Sequence, residues 1–67
     1  MYVKEIYENK VRIVHEGSPF DVANDIRVEY LKDGEWTFYH GINSLSDDYA
    51  NTNAREFAIR ALKTMFG

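Results

Sequence analysis

The sequence predicts an α+β fold, an antiparallel sheet of three or four strands with one C-terminal α-helix packed on one face, as a single small domain over residues 1–67. Three observations predict it. Runs rich in β-branched and aromatic residues fill the first two thirds of the chain. Asp33-Gly34 stands between two of them, where a tight reversal needs positive φ. The chain then closes with apolar residues at helical spacing.

The first element is YVKEIY followed by VRIVHE, with ENK as the turn between two strands. A helix through Tyr2, Val3, Ile6 and Tyr7 satisfies a period of about 3.6 equally well, so hairpin and helix both stay open for residues 1–15. In EGSPFDVAND, Ser18 suits the cap of a short helix with Pro19 at its first position and Asp21 three residues past the cap. The alternative there is a plain turn with Phe20 and Val22 tucked inwards.

IRVEYLKDGEWTFYH is the strongest hairpin. Its second half, EWTFYHG, holds three of the ten aromatic residues, so its orientation decides whether it is a stacking platform or part of a core. A two-residue Asp33-Gly34 loop sets Val28 opposite Tyr39 and mixes apolar with charged residues on both faces. A three-residue Lys32-Asp33-Gly34 loop with a glycine bulge sets Tyr30 opposite Trp36 and Val28 opposite Phe38. In that register Ile26, Val28, Tyr30, Trp36, Phe38 and His40 share one face, and Arg27, Glu29, Leu31, Glu35, Thr37 and Tyr39 the other. Because a one-residue slip moves a whole apolar set to water, the three-residue loop is the expectation. The aromatic strand is then core, with Trp36 and Phe38 turned towards Phe57 and Leu62.

After GINSLSDDYANTN, Asn53 is placed to cap the last helix, with Glu56 completing the box. Ala54, Phe57, Ala58, Ala61, Leu62 and Met65 form the inward stripe. Ile59 and Phe66 widen it beyond what one small sheet needs. With Tyr49 they predict a homodimer seam or partner groove.

A chain of this size hides only about 60% of the surface it exposes when unfolded, and with no cysteine it has neither disulfides nor a thiolate metal site to help. No apolar run has the length of a membrane span or the pattern of a signal peptide, which places the protein in the cytoplasm with no membrane partner. The net charge is −3, and between Glu16 and Asp48 eight acids face two bases, Arg27 and Lys32. An acidic middle of this kind fits a partner with a basic surface and disfavours indiscriminate phosphate binding.

No catalytic constellation stands out. His15 and His40 lack a short metal-ligand spacing, even with Asp47 and Asp48 added, so no metal and no cofactor is implied. His40 reads as a half-buried strand-end residue bonded to the following loop, and His15 as exposed. Ser18, Ser44 and Ser46 occupy turn and cap positions outside any nucleophile motif. Asp47 and Asp48 are adjacent and diverge, which suits a helix N-terminus better than shared acid–base work. A domain this small also has little room for a pocket of about 300 Å³ or more. The sequence reads as that of a non-enzyme.

A three-stranded sheet backed by one helix looks like the plant AP2 domain and the arm-site-binding domains of phage integrases, which implies nucleic-acid contact through the exposed sheet face, here by Arg27 and Tyr39. NTNAREFAIRAL is similar to the final helix of the double-stranded-RNA-binding fold and would offer Arg55, Arg60 and Lys63. A different resemblance covers about half the chain. DGEWTFYHGINSLSDDYANTNAREFA resembles the small uracil-DNA glycosylase inhibitor of phi29-like phages, through Asp33-Gly34, Tyr39-His40, Leu45-Ser46-Asp47 and Asn51-Thr52. That resemblance implies a small acidic, dimeric phage or mobile-element protein that inhibits or adapts a host nucleic-acid-handling protein by surface occlusion. The partner-binding residues expected on this reading are Glu29, Glu35, Asp47, Asp48, Tyr49, Tyr39, Ile59 and Phe66.

Overall fold

The computed structural model describes residues 1–18 and 20–67. Four strands, β1 (Tyr2–Tyr7), β2 (Val11–His15), β3 (Asn24–Lys32) and β4 (Glu35–Ser44), form one antiparallel sheet in chain order, and helix α1 (Asp47–Phe66) lies across one face. The α+β expectation holds, with four strands and a hairpin at the start. Glu8 and Asn9 reverse the chain between β1 and β2 at φ of 52° and 56°, and the Lys10 amide donates to the Tyr7 carbonyl at 2.9 Å. Asparagine tolerates this left-handed backbone better than most residues, so ENK can turn without glycine.

The expected short helix at Ser18 is absent among the described residues, and Pro19 lies outside them. The segment is instead a compact turn in which Asp21 Oδ2 accepts from the Ser18 amide at 2.9 Å and the Ser18 hydroxyl from the Phe20 amide at 3.2 Å. Phe20 and Val22 are not tucked in, being 92% and 84% exposed.

The β3–β4 register corrects the expected one. Lys32 pairs with Glu35, so the loop is the two-residue Asp33-Gly34, with φ of 52° and 81°. Leu31 then meets Trp36, Tyr30 meets Thr37, and Glu29 meets Phe38. A bulge follows, because Val28 pairs with His40 and Tyr39 is the extra residue on β4. The bulge restores apolar alternation: Tyr39 joins the helix-side cluster and Ile42 comes opposite Ile26 in the core. Trp36 and Phe38, expected under the helix, instead lie on the opposite face with Arg12 and Arg27. Thr37 and Tyr39, expected on the outer face, belong to the helix side. Pairing near the turn was decided by Asp33 accepting positive φ, which removes the need for a three-residue loop.

The core lies between sheet and helix. Val11, Ile13, Ile26, Val28 and Ile42 meet Ala50, Ala54, Ala58 and Ala61, flanked by Tyr7, Tyr30, Tyr39, Phe57 and Leu62. Alanine at these spacings favours the helix and lets its backbone approach the strands closely. The helix also starts earlier than expected. Ser46, not Asn53, is its cap and accepts from the Tyr49 amide at 3.2 Å, while the Asn53 side chain donates to the Tyr49 carbonyl within the second turn. Asp47 and Asp48 fall in the first turn, where the helix dipole favours negative charge.

Candidate functional site

Two surfaces carry the distinctive chemistry. The first is the open face of the sheet. Its outward positions are Val3 and Ile6 on β1, Arg12 and Val14 on β2, Asp25, Arg27, Glu29 and Leu31 on β3, and Trp36 and Phe38 on β4. The Arg12 guanidinium stands 4.5 Å from the Trp36 ring centre, and that of Arg27 4.9 Å from the Phe38 ring centre. Glu29 sits between the two arginines, 2.7 Å from Arg12 Nε and 3.4 Å from Arg27 Nη2. Glu16 lies 3.1 Å from Arg27 Nε. Phe38 folds over Gly41, where a Cβ would stand 3.4 Å from the ring, so the bare backbone of Gly41 gives the ring its seat.

The second surface is the end of the molecule where the 16–23 turn, the start of β3, the end of β4 and the first turn of α1 meet. Asn24 joins them, its side-chain amide donating to the Ser44 carbonyl at 3.1 Å and to Asp47 Oδ1 at 2.8 Å. Residues 16–26 and 42–54 contain no lysine or arginine, yet they supply Asp21, Asp25, Asp47 and Asp48. Exposed Phe20, Val22, Leu45 and Tyr49 lie on the same segments.

Charge is divided unequally. Each of the four arginines has a carboxylate partner: Arg12 with Glu29, Arg27 with Glu16 and Glu29, Arg55 with Glu5, and Arg60 with Glu56. These pairs cancel. Seven carboxylates remain against four lysines, which accounts for the net charge of −3. Four of the seven are the aspartates of the end just described, while Glu8, Asp33 and Glu35 lie at the turns of the opposite end, near Lys10 and Lys32.

The expected partner-binding residues therefore separate. Asp47, Asp48 and Tyr49 share the acidic end. Glu35 is at the far hairpin, and Glu29 is only 7% exposed within its arginine pairs. Tyr39 packs edge-on against Tyr30 on the helix side, so it does not share a face with Arg27. Ile59 and Phe66 are exposed seven residues apart on one helix stripe, but Tyr49 is ten residues before Ile59, about 15 Å along the axis. The three do not make one seam. Missed in the sequence were Asp21, Asp25, Phe20, Val22 and Leu45, although the lack of bases in their two segments was readable.

His15 departs from the exposed position expected of it, whereas His40 is half-buried as expected and differs only in its contacts. His15 is buried; its Nδ1 is 3.0 Å from the Gly17 carbonyl, and its ring stacks on Tyr2 with centres 5.1 Å apart. His40 stacks on Phe57 at 3.6 Å instead of bonding the following loop. Beside it an open groove of about 350 Å³ is lined by His40, Gly41, Ile42, Asn43, Tyr49, Asn53 and Phe57, larger than a chain of this length was expected to allow. Among the described residues no three His, Asp or Glu side chains converge as a metal site, and no helix is long and apolar enough to cross a membrane.

Among the described residues, the one perturbed titrating cluster joins β1 to the helix. Tyr7 donates to Glu5, which also accepts from Arg55 at 3.0 and 3.1 Å. The Tyr7 bond, and after it Arg55, hold Glu5 below the ordinary carboxylate range. Partial burial and then the same hydrogen bond push Tyr7 up to about 12, and the bond to Glu5 raises Arg55. This cluster clamps the helix to the sheet.

Comparison of the chain with protein-family models, curated proteins and solved structures finds no match.

Proposed function

We propose that the protein is a small acidic binding module that inhibits or adapts a partner protein by covering its basic surface, without catalysis, and that the acidic end makes the contact. The observation that carries this reading is that the unpaired aspartates gather with exposed Phe20, Val22, Leu45 and Tyr49 on two segments free of lysine and arginine. Unpaired carboxylates steer a basic partner into encounter, and exposed apolar side chains supply the buried area that holds it. The resemblance to the phage glycosylase inhibitor makes a host nucleic-acid-handling protein the partner class, and uracil-DNA glycosylase the first to try.

One observation favours a second reading, a nucleic-acid-binding sheet. Arginines and aromatic rings alternate on the open face, which is the material of single-strand-binding platforms. Against it, a phosphate would have to displace Glu29 and Glu16 from those arginines, and Tyr39 is on the other side.

The test uses immobilised protein, wild type against an Asp25→Asn/Asp47→Asn/Asp48→Asn variant, presented with bacterial lysate. A protein retained by the wild type, released by salt and lost with the variant supports the reading, as does stoichiometric loss of uracil excision when the wild type is added to the glycosylase. Identical capture by both forms, or a salt-sensitive electrophoretic shift of DNA or RNA, overturns it.

A further inference from the structure

We propose that the open face of the sheet is a self-association surface that seats a second copy of this chain face to face. The inference is independent of the acidic-end reading and moves the expected dimer from the helix to the sheet.

The single chain leaves its largest rings outside. Its largest fully buried side chains are Ile26, Val11, Val14 and Val28, and the helix buries only alanines. A 67-residue chain with a core this small and no disulfide gains most from a partner subunit. The open face supplies the apolar material that the core lacks. Val14 is fully buried at its centre, and Val3, Ile6 and Phe38 around it are exposed. The molecule measures 34 × 20 × 15 Å, so its broad side has an outline of the same order as the roughly 800 Å² per partner of a stable interface.

Charge selects the occupant. Two copies carrying −3 each repel over most of their surface, but the centre of this face holds two arginines and two glutamates, Arg12, Arg27, Glu16 and Glu29, whose charges balance, with Asp25 at its rim beside Glu16. A two-fold contact uses the same patch twice, so it needs a patch that complements itself. Arg27 is already engaged, with Glu16 3.1 Å from its Nε and Glu29 3.4 Å from its Nη2, so the four central charges are satisfied within each copy and two such faces can meet without an unpaired charge between them. Lysine, which interfaces disfavour, is directed elsewhere: Lys4 donates to Asn51 and Lys10 covers the Phe66 ring, both on the helix side.

Trp36, the one tryptophan, lies on this face and reports on it. Sedimentation of the full chain should give a dimer at high micromolar concentration, with Trp36 emission moving to longer wavelength on dilution. Phe38→Lys and, separately, Ile6→Lys should each weaken association about tenfold or more while keeping the far-ultraviolet circular dichroism of the wild type. If Phe38→Lys does not fold, Ile6→Lys decides. Ile59→Asp, on the helix, should remain dimeric. A monomer throughout, dimers in the folded Lys variants, or loss of the dimer in Ile59→Asp would overturn the proposal.

Discussion

Where the helix covers the sheet, the contact is made of alanines against Val11, Ile13, Ile26, Val28 and Ile42; on the uncovered side, arginines lie over Trp36 and Phe38 with Glu29 between them. Both sides protect the same four strands from water, by different means. The covered side excludes water by close approach, which small side chains permit. The open side uses long amphipathic side chains whose stems and planar heads shield apolar surface while their charges are satisfied laterally. The shielding is partial: Trp36 and Val14 are covered, while Val3, Ile6 and Phe38 stay exposed around them.

The largest expected effect breaks the covered side. Ile26→Ala should destabilise the fold by about 3 kcal/mol, measured by urea denaturation, because a fully buried side chain leaves a cavity that the close helix cannot fill. That is a large share of the few kcal/mol expected for a domain of this size. If the loss is below about 1 kcal/mol, the covered side is softer than its packing indicates.

Glu29→Ala tests the open side, with an expected cost of about 2 kcal/mol in the same measurement, since Arg12 and Arg27 both lose a nearly buried carboxylate. A silent substitution would make the network an ordinary exposed ion pair.

The Tyr7–Glu5–Arg55 clamp gives the comparison a pH signature on the helix side. Tyr7 titrates higher in the folded chain than unfolded, so its contribution is fully present below about pH 10 and is lost as pH rises through about 12. Glu5 is lowered, so its contribution is present above the ordinary carboxylate value and is lost as pH falls through the depressed one. Thermal melts against pH should therefore decline at both extremes, and Tyr7→Phe should flatten the alkaline decline. An unchanged alkaline limb in that variant would exclude the clamp. The smallest effect is expected on the outer helix surface, where Ile59→Asp should change stability by no more than about 0.5 kcal/mol.

Much of the fold was legible. Alternation marked the strands, Asp33-Gly34 the hairpin and the apolar stripe the helix, because each signal is local. The helix start was misplaced because Ser46 and Asn53 are both residue types that cap helices, and Ala50, which extends the buried stripe a turn earlier, looks the same exposed or buried in a sequence. Of the candidate site, Asp47, Asp48 and Tyr49 were among the residues expected on the resemblance to the phage inhibitor. Asp21, Asp25, Phe20, Val22 and Leu45 were missed because they reach that end only when β3 and β4 align and Asn24 bonds Asp47.

Residue order alone determined the central antiparallel hairpin and the C-terminal helix, and that acids outnumber bases in the middle of the chain, since spacing and charge are properties of neighbours along the backbone, whereas the first fifteen residues fitted strands and helix equally. Tertiary structure decided which way the aromatic strand faces and which carboxylates stay free. One bulge at Tyr39 and the pairs that Arg12, Arg27 and Arg55 make with Glu29, Glu16 and Glu5 settle both, and these join residues distant in sequence, where the balance between burying a ring under alanines and laying a guanidinium over it is struck only once the strands have met.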